Sequence, residues 1–168
     1  MTKQIIKTTE DIDQSISHLC KEIMRDFPDG SIDLISLNYA PKLFTPDLVK
    51  NLNMDIRLQR LEFENYDIRT DSGEIKITRD LENPICGRHI ILTDGIIISG
   101  ITHNYLCNLL EQRSPKSIAI ASIASKPRLL KKKLPRCYTL FNFDEEMIEG
   151  YGMGTEKYKS LKSLYDIR

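Results

Sequence analysis

The sequence has no excess of charge of either sign, because 24 lysines and arginines balance 24 aspartates and glutamates. Nothing global therefore draws the chain to nucleic acid or to an anionic membrane, and electrostatic binding must come from local clusters. Long apolar runs are missing too; none approaches the roughly 18 residues that a membrane-crossing helix needs. The opening MTKQIIKTTED holds only short apolar stretches before acidic residues, so no signal peptide is expected. Cysteine is sparse: Cys20, Cys86, Cys107 and Cys137 stand far apart with no CxxC pair, which favours reduced, buried thiols. The three histidines, His18, His89 and His103, show no metal-ligand spacing. His18 reads as a helix-face residue and His89 as a strand residue, while His103 opens a helix where it can approach an anion. There are no repeats and no low-complexity segments. What remains is 168 residues, 40% hydrophobic and 29% charged, which suits one domain spanning residues 1–168 with a real core and a cytoplasmic address.

Thr8 or Thr9 can cap a first helix, whose apolar positions Ile12, Ile16, Leu19, Cys20, Ile23 and Met24 fall at helical spacing. Residues 26–30 (Asp-Phe-Pro-Asp-Gly) stop it. Residues 32–37 read as a buried strand, and Pro41 opens a second helix with Leu43, Phe44, Leu48, Val49 and Leu52 on one side. Residues 56–63 alternate apolar and charged side chains, with a slip in register near Arg60. The polar stretch 65–73 is a loop, and 74–78 is its returning strand. Asp67, Asp71 and Glu74 there read as solvated loop charges. Ile90–Leu92, 117–125 and 138–143 are further strands, and a helix follows Gly100. Strands alternating with helices imply right-handed crossovers and a mostly parallel sheet.

The informative stretch is residues 87–102, GRHIILTDGIIISGIT. A strand runs into a loop with Gly100 and the hydroxyls of Ser99 and Thr102, and then a helix begins. Such a loop aims several backbone N–H groups at one spot, where the helix N-terminus adds partial positive charge. A phosphate monoester suits that spot, with Gly100 permitting close backbone approach. On the residues alone, an ordinary strand–turn–helix with a capping Ser or Thr reads equally well. Between Lys126 and Arg136 lies a basic run, either a solvated loop or a phosphate- or RNA-contacting patch; no interleaved aromatics support base stacking.

Residues 87–102 resemble, without a gap, the G-K-x-V-L-I-V-E-D-I-I-D-T-G-x-T stretch of the purine phosphoribosyltransferases, especially the hypoxanthine-guanine type. The resemblance continues in order along the chain. LNYAPKLF (37–44) falls where that family has its L-K-G-G-x-x-F diphosphate loop, and Asn65-Tyr66 with DSG (71–73) is similar to its mobile loop. IAIASIASK (118–126) is similar to the strand ending in a purine-reading lysine, and GYGM (150–153) with EKY (156–158) resembles the tail. The implied fold is α/β: the type I phosphoribosyltransferase fold, a twisted, mostly parallel sheet flanked by helices, with a small C-terminal hood at Phe143–Tyr158 (roughly 143–160). A mobile hairpin loop covers roughly residues 65–74.

The resemblance implies transfer of a phosphoribosyl group from phosphoribosyl diphosphate (PRPP) to hypoxanthine or guanine, giving IMP or GMP, with magnesium (Mg2+) as cofactor. By the same implication Ile98, Ser99, Gly100, Ile101 and Thr102 hold the 5′-phosphate, and Asp94 faces the ribose hydroxyls and, through water, the metal. Lys126 donates to the purine 6-oxo oxygen, Met147 lies against the purine face, and Ile148 offers backbone groups to the base edge. Asn38, Tyr39 and Lys159 belong to the diphosphate region, and Tyr66 to the lid loop. A homodimer or homotetramer is expected by analogy, with no nucleic acid and no membrane among the partners.

Several positions depart from the family pattern. The second of two consecutive acids is Gly95, and the acid that handles the proton at purine N7 is Ile98, which cannot transfer protons. Asn38, Tyr39 and Ala40 replace the lysine and glycines of the diphosphate loop, and a Tyr-Ala backbone does not easily take glycine geometry. Gly154 stands near the place of the tail's metal-linked aspartate. The losses fall on diphosphate, metal and proton transfer, so weakened catalysis and a preference for a purine 5′-monophosphate over PRPP are expected. The alternative in another class is a non-catalytic purine-nucleotide sensor or regulator that kept the fold; a third reading keeps the transfer with another acceptor base.

Overall fold

A computed structural model describes residues 4–38, 42–66, 74–144 and 146–168, without the side chains of Asn65, Tyr66 and Glu74. Helix α1 (Thr9–Asp26) starts where Thr8 closes a capping box: its hydroxyl accepts from the Asp11 N–H, and the Asp11 carboxylate accepts from the Thr8 N–H. The box satisfies two of the donors that every helix start leaves over. Ile12, Ile16, Leu19, Cys20 and Ile23 form the buried stripe read from the sequence.

The main sheet follows from six strands: β2 (Ser31–Leu37), β3 (Asp55–Tyr66), β4 (Glu74–Arg79), β5 (His89–Ile97), β6 (Ser117–Ser125) and β7 (Arg136–Asn142). Their order is β4-β3-β2-β5-β6-β7. Neighbours run parallel throughout except β3 with β4, which are antiparallel. Alternation along β2 divides the core in two. Ile32 and Leu34 join α1 and α2 (Phe44–Asn51) on one face, whereas Ile35 and Leu37 join α3 (Ile101–Glu111) on the other. Between these layers sits a buried acid, Asp33, fully enclosed yet paired. Its Oδ2 accepts from Arg57 Nε (3.0 Å) and Gln59 Nε2 (3.0 Å), and its Oδ1 from Arg88 Nε (2.9 Å). A buried carboxylate is tolerable only with such partners.

Three details differ from the sequence reading. Helix α2 begins at Phe44, not Pro41, which lies outside the described residues. The slip in β3 lies between Glu62 and Phe63, two residues beyond Arg60, in the pairing with β4. The hood is not purely C-terminal. It is a three-stranded sheet of order β1-β9-β8, with β1 (Gln4–Lys7) from the start of the chain and β9 (Leu164–Asp166) from its end. Strand β8 (Ile148–Gly150) and a short helix α4 (Glu156–Lys159) complete it. The hood is tied to the body by Tyr151, whose hydroxyl donates to Asp47 Oδ2 on α2 at 2.6 Å, and by Thr9, whose hydroxyl donates to the Lys162 carbonyl at 3.0 Å.

Among the described residues no helix is long and apolar enough to cross a membrane. The thiols are free, and burial pushes Cys20 up to about 11 and Cys107 up to about 12, which keeps both protonated at neutral pH. Cys86 departs from the expectation of buried thiols, since it is exposed on the loop before β5, where no strand covers it.

Tyr138 on β7 supplies a prediction about stability. It is buried, and its hydroxyl donates to Asp26 Oδ2 at 2.8 Å. Burial first, and then the Asp26 carboxylate, push it from the ordinary 10.0 up to about 12. The unfolded chain therefore loses this proton at lower pH than the fold does, so stability falls as pH rises from 10.0 to about 12. Thermal melts across that window should show the fall, and Tyr138→Phe should make it shallower.

Candidate active site

The strand order reverses between β2 and β5, since the chain passes from β2 outward to β3 and β4 and returns to β5 on the other side. In such sheets the crevice at the carboxyl ends of these strands is the place for a ligand. A cleft of about 410 Å3 lies there, and its lining includes Lys42 after β2, Asp94 and Gly95 of β5, Ile148 of β8, Gly154 and Lys159 of α4. Sequence reasoning named Asp94, Ile148 and Lys159; the fold brings all three to one cleft. It missed Lys42, because the position of the family's lysine, at residue 38, was read in isolation from the residues that follow it.

The loop 98–102 follows β5 directly, and its residues are not part of the lining of this cleft. Gly100 has φ 74° and ψ 0°, the left-handed conformation, and forms the N-cap of α3. A Cβ there would stand 2.8 Å from Leu130 Cδ1. Asn104 N–H donates to the Gly100 carbonyl at 2.8 Å, closing the first turn. The amides ahead of it, those of Ile101, Thr102 and His103, have no intrahelical acceptor by geometry. The Ile101 amide looks toward Ser99 Oγ at 3.4 Å. Ile98 is 44% exposed. Part of the basic run braces this loop: Lys131 N–H donates to the Ser99 carbonyl at 2.8 Å, and Leu130 and Leu134 pack over Gly100. The run is thus more than a solvated loop, although its charged ends stay exposed.

Asp94 is held from two sides. Its Oδ2 lies 2.8 Å from His103 Nε2, and its Oδ1 accepts from the Gly95 N–H at 2.7 Å. His103 is 5% exposed. It therefore does not reach toward an anion in solution as its position suggested; the helix turns it inward against Asp94. Directly after β6, Lys126 donates through Nζ to the Glu146 carbonyl at 2.8 Å, which ties the end of the sheet to the start of the hood. Met147 is 57% exposed, and its backbone is anchored by Asp166 Oδ1 and the Ile167 N–H. Ile148 pairs with Asp166 across β8 and β9.

Asn38 adopts φ 52°, and its Oδ1 accepts from the Phe63 N–H at 2.8 Å, so it turns back to β3 and fixes the start of the loop. Tyr39, Asp67, Asp71 and the side chains of Tyr66 and Glu74 lie outside the described residues. Lys159 pairs with Glu156 Oε1 at 2.7 Å. Beneath Gly154 lies Glu149: a Cβ at 154 would come within 2.7 Å of the Glu149 Cδ. A carboxylate from 149 thus fills the space of a side chain at 154, and it accepts from the Thr155 hydroxyl at 2.9 Å.

Magnesium is the cofactor implied by the sequence resemblance, and the donor set is a poor match for it. A protein-held Mg2+ wants open acidic oxygens. Asp94 is the acid of the cleft lining and carries a donor on each oxygen, while Lys42 and Lys159 make that lining net positive. Such a wall repels a dication. Among the described residues no three of His, Cys, Asp and Glu converge to hold a metal.

Known proteins resemble the chain along nearly its whole length. The chain is 29% identical to the hypoxanthine-guanine phosphoribosyltransferase of Dictyostelium discoideum, covering 100% of this chain and 97% of that one. It is 28% identical to the enzyme of the same name from Bacillus subtilis, over 95% of this chain and 89% of the other. A crystal structure of a hypoxanthine-guanine phosphoribosyltransferase from Bacillus anthracis, with a HEPES molecule in its active site, superposes with TM-score 0.92 at 26% identity, covering 98% of both chains. The pattern of the phosphoribosyl transferase domain matches residues 4–154, and the chain belongs to that family.

Proposed function

We propose that the protein transfers a 5-phosphoribosyl group from PRPP to hypoxanthine or guanine, forming IMP or GMP in purine salvage. The observation that carries this reading is the convergence at the β2/β5 reversal: the fixed carboxylate of Asp94 and the hood strand with Ile148 line one cleft, and the strand that carries Asp94 runs on into the glycine-capped start of α3. A phosphate monoester fits the first-turn amides of α3, where the helix dipole favours negative charge. Asp94, fixed by His103 and Gly95, faces the ribose hydroxyls as an acceptor. Lys126 retains two further ammonium protons besides the one given to Glu146, and directs them at the 6-oxo oxygen. In the reaction the C1–O bond to diphosphate breaks as the base nitrogen bonds to C1, and the base loses a proton. Ile98 cannot receive that proton, so it passes to solvent and the rate is modest.

Incubation of the protein with PRPP, magnesium and guanine or hypoxanthine, followed by chromatography, tests the reading. Formation of GMP or IMP is expected. No product from either base would overturn the enzymatic reading, and calorimetry with GMP then shows separately whether the site binds the nucleotide.

A further inference from the structure

Besides Asp94, the charged residues in the cleft lining are Lys42 and Lys159. They come from separate elements: Lys42 from the segment between β2 and α2, and Lys159 from the last turn of α4 in the hood. They stand on opposite sides of the sequence yet close on the same volume. Glu156 stands beside Lys159 on α4. Lys159 pairs with it at 2.7 Å, and both lysines act on its carboxyl group, which Lys159 most strongly holds below the usual carboxylate range. The Glu156 side chain is 91% exposed, so this pairing is solvent-screened and readily exchanged for a stronger anion. The same cleft lacks a second acid at Gly95, its lining acid is engaged on both oxygens, and the Glu149 carboxylate beneath Gly154 is buried and accepts from the Thr155 hydroxyl. Its chemistry is that of an anion receptor and not of a metal cage.

We propose that Lys42 and Lys159 bind the diphosphate end of PRPP directly, so that this chain holds its sugar diphosphate without a protein-bound divalent metal. The inference rests on the proposed transferase reading and deepens it. Lys42 supplies the cation that Asn38 does not, because Asn38 is turned toward β3. Two ammonium groups offer up to six donors to the diphosphate oxygens, and neither depends on metal supply. Exposed Glu156 competes with the ligand for both.

Titration calorimetry of the intact protein with PRPP, in excess EDTA and separately in magnesium, is the test. The expected dissociation constants agree to within about threefold, a difference of under 1 kcal/mol. Lys42→Met and Lys159→Met each weaken PRPP binding about tenfold or more, as loss of a charge-assisted contact requires. Both leave GMP affinity near that of the parent chain, which also shows that the variants are folded. Glu156→Gln tightens PRPP binding several-fold by releasing the lysines. PRPP binding seen only with magnesium, or lysine variants that bind PRPP as well as the parent, would overturn the proposal while leaving the transferase reading standing if GMP still binds. Absence of binding by both PRPP and GMP would overturn both.

Discussion

Ile98→Asp is expected to raise the rate of GMP formation by roughly 10²-fold or more, within the 10²–10⁴ range of general acid–base help. On the proposed reading, residue 98 faces the proton that leaves the purine, and isoleucine offers it no acceptor. Ile98 is 44% exposed, so an aspartate there remains hydrated and costs the fold little. Steady-state kinetics should show the gain in kcat, with the KM for PRPP changed less. Ile98→Asn is the control, because it has nearly the shape of aspartate and no comparable basicity. Equal rates for the two variants would show that residue 98 does not face the proton. Adding Gly95→Asp restores a second acid beside Asp94, and a further gain would mark the native chain as a weakened version of a faster ancestor.

The second large effect is expected at Lys126. Its Nζ already donates to the Glu146 carbonyl at 2.8 Å, so the ammonium is positioned before any base arrives. A hydrogen bond from a charged donor to the 6-oxo oxygen is worth about 1.5–3 kcal/mol, which is roughly 10–100-fold. Lys126→Met should raise the KM for guanine and hypoxanthine by that factor with a smaller change in kcat. Its clearer signature is specificity: the preference for oxo over amino purines should collapse, since an amino group never accepted this donor. Lys126→Arg should restore part of the preference. A methionine variant that still discriminates would remove Lys126 from the base site.

Much of this arrangement could be read from residues. The α1 stripe and capping box, the six-strand pattern and the glycine-capped helix after β5 all depend on local spacing, which a sequence displays directly. The misreadings have a common physical origin in contacts between residues distant along the chain. His103 was read by its position at a helix start, yet a helical turn brings it under Asp94. Glu149 beneath Gly154 depends on the tight turns at 150, 151, 152 and 154, all with positive φ. Lys42 was passed over because a position-by-position comparison looks for a cation at 38, whereas a cleft accepts one from any wall. The exposed thiol of Cys86 was missed because composition favours burial without saying which cysteine escapes it.

The hood joins two strands, β1 and β9, that lie far apart in the sequence. Gln4 is partnered by Asp166, and β9 in turn holds β8 with Ile148 at the cleft. During synthesis the central sheet can assemble as its strands emerge, but the small sheet waits for β9. Until then β1 stays without its partner. A nascent chain stalled between Asn142 and Leu164 would carry the six-stranded sheet and the start of α3 without the strand that holds β8 at the cleft.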